Sequence, residues 1–81
     1  MPGSHDRALG DAIRQLRTDR ELTQERLAGS ADVTLATITR MELAQGDPNW
    51  PTVRAVVEAL GASWTEFGQA MDEAEKPAKR R

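Results

Sequence analysis

The chain has 81 residues, a net charge of −2 and no cysteine. Independent domains cluster at roughly 100 to 150 residues, so one core is all it can build, and at this size only about 60% of the unfolded surface is buried on folding. Stability must then lean on helix caps and close packing. The missing cysteines exclude disulfides, thiolate metal sites and thiol nucleophiles, and suit a cytoplasmic location. The longest apolar run, Ala55 to Val57, is far short of the ~20 residues that cross a bilayer. The acidic total counts against nucleic acid as a partner, although docking depends on which face carries which sign.

Residues 1–5 read as an appended remnant or a disordered lead, and His5, the only histidine, has no role in it. Leu9, Ala12, Ile13 and Leu16 recur at helical spacing and predict a first helix from about Asp6 to Arg20, with Arg7, Asp11 and Arg14 on its wet side. Thr23 then has the place of an N-cap, with Leu22 set to staple onto Leu27, and the second helix should stop near Ser30 among the turn formers Gly29, Ser30 and Asp32. The same device repeats at once. Val33 is the staple residue, Thr34 the cap, and Ile38 the partner four residues into a third helix over about Leu35 to Leu43.

Ala44 to Pro51 carries two prolines, a glycine, Asp and Asn and reads as a loop whose one large apolar residue, Trp50, is expected to fold back into the core. Thr52 is expected to cap a fourth helix with Val53, Val56, Val57 and Leu60 inward, stopped by Gly61. Ser63 to Glu66 reads as a capping box that opens a fifth helix, on which Trp64, Phe67 and Met71 form a core stripe whose outer edge is the candidate contact for a second subunit. Past Glu75 the pattern dissolves into a basic tail. The divisions expected are a lead at 1–5, one domain at 6–72 and a disordered basic tail at 73–81. No strand-like alternation of useful length occurs, so the fold class is all-α, a compact five-helix bundle.

Two short helices joined by a turn of about four residues make a helix-turn-helix arrangement. The run Leu22-Thr23-Gln24-Glu25-Arg26-Leu27-Ala28, followed by Val33, Thr34 and Thr37-Ile38-Thr39-Arg40-Met41-Glu42, resembles the helix-turn-helix family of the phage repressor and Cro proteins, also called the XRE family. The similarity covers about Leu9 to Phe67 and includes Pro48, Thr52 and Ala59-Leu60-Gly61. It implies a lambda-repressor-like bundle and a transcription regulator that inserts its third helix in the major groove of double-stranded DNA. It also implies an internal ion pair between Arg17 and Glu42.

The chain departs from the family pattern at Glu21 and Asp32, where glycine is usual, and at Ala44, where Gly46 is expected to carry the reversal instead. Asp32 tolerates the left-handed region better than most residues, whereas Glu21 is expected to prolong or distort the first helix. Gln45 and Asp47 stand where relatives often place Lys or Arg, which weakens the case for phosphate contacts from the loop.

The candidate DNA-contacting residues are Gln24, Thr34, Leu35, Ala36, Thr37, Thr39, Arg40, Gln45 and Asn49. Gln24 opens the second helix, where free N–H groups and the helix dipole favour a phosphate; taken alone it reads as a solvated glutamine. Arg40 suits guanine O6 and N7, Thr39 a phosphate or a base, and Leu35 or Ala36 a thymine methyl. Thr37 supports the helix start through backbone or phosphate. The apolar Leu35-Ala36 pair and the acidic total keep open a protein-interaction module on the same fold, antitoxin-like or a transcription adaptor. No cysteine, histidine or paired acids form a catalytic constellation, and no cofactor or small-molecule ligand is implied.

Overall fold

A computed structural model describes residues 4–76, so residues 1–3 of the expected lead at 1–5 and residues 77–81 of the expected tail at 73–81 lie outside the described residues. Five helices follow one another: α1 (Ser4–Asp19), α2 (Gln24–Ala31), α3 (Leu35–Glu42), α4 (Trp50–Leu60) and α5 (Trp64–Glu75). The first therefore begins inside the expected lead, and the last runs past the expected boundary at 72. No described helix is long and apolar enough to cross a membrane.

The inward face of each helix is the one its spacing dictates. Ala12, Ile13 and Leu16 from α1 meet Leu27 and Ala28 from α2, Ile38 and Met41 from α3, Val53, Val56, Val57 and Leu60 from α4, and Phe67 from α5 in one buried cluster. Leu22 and Val33, the staple residues, pack partly buried against it. Thr23, Thr34 and Ser63 cap their helices as expected, each side-chain oxygen accepting the N–H three residues on.

Four helices end in the same way. After α1, the N–H of Leu22 donates to Arg17 O at 3.0 Å and that of Glu21 to Thr18 O at 3.0 Å, with Glu21 at φ 57°. This is a Schellman closure, and it recurs with Asp32 after α2, Ala44 after α3 and Gly61 after α4. Glu21 thus ends α1 rather than prolonging it, because the two bonds it allows satisfy carbonyls that a longer helix would have left at its own end. Ala44, not Gly46 alone, reverses the chain after α3. Left-handed backbone costs a residue with a side chain roughly 1 to 2 kcal/mol, which these closures must offset.

The α4 start also differs from expectation. Asn49, not Thr52, is the cap, its Oδ1 accepting the Thr52 N–H at 3.0 Å, and Pro51 occupies the first turn, where no N–H is needed. Trp50 therefore belongs to the helix rather than the loop. It is 59% exposed, because Val53, Val56, Val57 and Leu60 already fill the inward face of α4. Its ring instead stacks on Trp64 at 5.2 Å between centroids, and Trp64 meets Phe67 edge-on at 6.0 Å. Of the expected core stripe on α5 only Phe67 is buried; Met71 is partly so, and Trp64 is 44% exposed.

Gly10 sits where α1 crosses the end of α3. A Cβ there would collide with the carbonyl oxygen of Met41 and come within 2.8 Å of that of Glu42, both backbone atoms. Gly29, inside α2, has open space around the same position. Gly10→Ala should therefore cost at least ~1 to 3 kcal/mol of overpacking, whereas Gly29→Ala should gain up to ~1 kcal/mol of helix propensity. At about 4 to 8 °C per kcal/mol for a domain this small, thermal melts should move in opposite directions, and a Gly10→Ala protein melting with the wild type would refute the close crossing.

Candidate nucleic-acid interface

The site is built on the place where α2 and α3 meet, and its anchor lies beneath it. Arg17, in the last turn of α1, donates from Nε to Glu42 Oε2 at 2.6 Å and from an amino nitrogen to Oε1 at 3.0 Å. Its other amino nitrogen donates to Leu22 O at 2.8 Å, so one guanidinium joins the end of α1, the turn after it and the end of α3. Only 13% of the Arg17 side chain and 4% of the Glu42 side chain is exposed. The hydrogen bond to Glu42 raises the Arg17 pKa above its ordinary value, burial opposes this, and the charge of Glu42 adds to it. A raised folded-state value means that Arg17 contributes fully below the ordinary guanidinium range and loses that contribution only as pH rises through the raised value.

Glu42 accepts a third hydrogen bond. Gln24, the first residue of α2, donates from Nε2 to Glu42 Oε1 at 2.9 Å, while its Oε1 accepts from Thr39 Oγ1 at 3.0 Å. The expected open glutamine at a helix start is thus a bridge between α2 and α3. Thr39 and Glu42 are three apart and share a face of α3, which is the one sequence signal for this link. Every buried side-chain nitrogen and oxygen among the described residues has a partner.

With Ile38, Met41 and Glu42 buried, the opposite side of α3 presents Ala36 and Arg40 fully outward, with Leu35 and Thr39 on one flank and Thr37 on the other. Leu35 is 43% exposed. Arg40 forms no ion pair with any described residue. Thr34 and Thr37 are held to each other, their hydroxyls 2.9 Å apart, with Thr34 also capping α3. Thr37, Arg40, Gln45 and Asn49 surround a shallow depression beside the α4 start that Asp47 also lines. Asn49 uses its carbonyl oxygen as a cap and keeps its amide nitrogen for other partners.

A second tie was not anticipated. Arg20 donates from one amino nitrogen to both carboxylate oxygens of Glu66 at 2.9 Å, fastening the end of α1 to the first turn of α5. Glu66 offers its own N–H to Ser63 Oγ, but its carboxylate goes to Arg20 and not back to the Ser63 backbone, so the capping box is half made.

Residues 8–68 match the family model described as a helix-turn-helix domain. No curated protein matches the chain in sequence. Among solved structures, the clp gene regulator ClgR from Corynebacterium glutamicum superposes with a TM-score of 0.79 at 26% identity, covering 90% of this chain and 94% of that one. A second crystal structure of that regulator gives 0.82 at 24% identity, over 93% of this chain and 80% of that one. A point variant of the restriction-modification controller protein C.Esp1396I gives 0.79 at 18% identity, over 84% and 88%.

Removing Arg17 leaves Glu42 buried without its cation, which typically costs ~3 to 5 kcal/mol. Arg14 pairs with Asp11 at 3.0 Å on the open surface and should matter by less than ~1 kcal/mol. Denaturant unfolding of Arg17→Ala and Arg14→Ala should separate them by several kcal/mol, and equal losses would contradict the anchoring role.

Proposed function

The chain belongs to the helix-turn-helix domain family, and from that premise we propose that it binds double-stranded DNA sequence-specifically as a transcription regulator, with its third helix, about residues 35–43, in the major groove. The observation that carries this reading is the outward face of α3: Arg40, free of any ion pair with the described residues, stands one helical turn from exposed Ala36, with Leu35 and Thr39 along the flank. A guanidinium there has the donors to read guanine O6 and N7, and the small or apolar neighbours leave room for thymine methyls.

Phosphate contacts flank the readers. Gln24 keeps one amide proton beyond its bond to Glu42, at a helix start whose free N–H groups favour an anion. On the other flank Thr37, Gln45 and the Asn49 amide nitrogen surround the depression beside α4, with Thr34 holding the start of α3. The negative total charge bears on long-range attraction, whereas docking depends on the sign of the docking face, where Arg40 stands outward. The exposed Trp50 and Trp64 rings give α5 and its surroundings an apolar area that supports a homodimer through the fifth helix, which would set two recognition helices about 34 Å apart on an inverted repeat.

On a duplex selected from a random pool, Arg40→Ala should weaken binding by ~1 to 3 kcal/mol and relax preference at one base pair. Gln24→Ala should weaken scrambled duplexes as well as the selected one, because a phosphate is the same at every step. Equal losses for Arg40→Ala on both duplexes would reject base reading. No binding of the wild type to any duplex at low salt would move the reading to a protein-interaction module, with exposed Leu35 and Leu43 as its contact.

A further inference from the structure

Where the first residue of α2 meets the flank of α3, one charge sets the direction of every hydrogen bond. Glu42, held by Arg17, is a carboxylate and only accepts. The Gln24 atom 2.9 Å from Glu42 Oε1 is therefore the amide nitrogen, since the reverse orientation would press two acceptors together. Its carbonyl oxygen is then turned to Thr39, whose hydroxyl has a single proton and commits it to that oxygen at 3.0 Å. What Thr39 has left for any outside group is lone pairs.

That residue lies half-buried on the flank of α3 that also carries Leu35, at the margin of the outward face. Phosphate oxygens only accept, so they do not suit it. In the major groove guanine O6 and N7, adenine N7 and thymine O4 also only accept, and the donors there are the exocyclic amines at cytosine N4 and adenine N6. We infer that Thr39 is a specificity-determining residue that accepts a hydrogen bond from an exocyclic base amine, cytosine N4 or adenine N6, with Gln24 as the positioning residue that fixes this polarity. The inference rests on the reading of α3 as the groove helix. It removes one of the two partners that sequence allows Thr39, the phosphate. It also gives the two neighbours opposite tasks, a donor for phosphate at Gln24 and an acceptor for a base at Thr39.

The test uses the full chain and the duplex that it selects from a random pool. Each adenine in turn is replaced by purine, which lacks the N6 amine, and each cytosine by 2-pyrimidinone, which lacks the N4 amine. One replacement should weaken the wild type about tenfold, within the range of a direct base contact, and identify which of the two bases is read. Thr39→Val should bind more weakly but be indifferent at that position, and Thr39→Ser, which keeps the hydroxyl, should retain the sensitivity. Thr39→Ala serves the same purpose as Thr39→Val should the branched side chain disturb folding by circular dichroism. Equal sensitivity of wild type and hydroxyl-less variant at every amine, or an equal loss for the variant on selected and scrambled duplexes, would overturn the inference. If Arg40→Ala still relaxes one base pair, the groove reading survives that result; if the wild type selects no duplex, both fall together.

Discussion

A single buried guanidinium–carboxylate pair ties the beginning of this fold to its middle. Arg17 reaches from the last turn of α1 to Glu42 at the end of α3 and to the carbonyl of Leu22 in the intervening turn. Removing two charges from water costs several kcal/mol per ion, which their attraction offsets only when the geometry is good and the remaining lone pairs are used. Here the bidentate contact and the Gln24 amide on Glu42 meet that condition. The pair also fixes where α3 lies along α1, and Gly10 lets the two backbones come that close. An aliphatic pair would fill the same volume without specifying a direction for any hydrogen bond around it.

That direction passes outward. Helix-turn-helix recognition needs α3 held rigidly against α2, because a base edge offers its pattern over only a few ångströms. The hydroxyl of Thr39 and the amide of Gln24 provide the hold at the margin of the outward face. On the opposite flank the two threonines at the start of α3 close on each other. The third helix is thus held to α2 along one flank and closed by its own threonines at its start, while Ala36 and Arg40 on its outward side make no side-chain hydrogen bond or ion pair with the described residues.

The fold was legible wherever a local rule decided it. Helical spacing placed the inward residues of the first four helices and Phe67 of the fifth, and Thr23 and Thr34 announced their caps by the staple residues that precede them, Ser63 by the Glu three residues on. Reading failed where two residues competed for one role. Asn49 outcompeted Thr52 for the α4 cap because Pro51 is comfortable in a first turn, and that choice alone moved Trp50 from loop to helix. Glu21 and Ala44 looked unsuited to a left-handed turn, and side-chain preference is overruled there by the two backbone bonds each closure makes. At the site, Arg17 with Glu42 was foreseen by resemblance, whereas the link from Glu42 through Gln24 to Thr39 has only the three-residue spacing of Thr39 and Glu42 to expose it, and that from Arg20 to Glu66 joins residues far apart in sequence with no periodicity at all.

The aromatic ladder from Trp50 through Trp64 to Phe67 makes the protein its own optical instrument. Both tryptophans of the chain belong to it. Indole rings 5.2 Å apart and within 24° of parallel are close enough for their excited states to mix, which imprints a paired signal on the far-ultraviolet dichroism. That signal tracks whether the starts of α4 and α5 stay side by side. The emission spectrum of the intact chain is therefore a gauge of how the starts of α4 and α5 meet, one residue along the chain from Asn49.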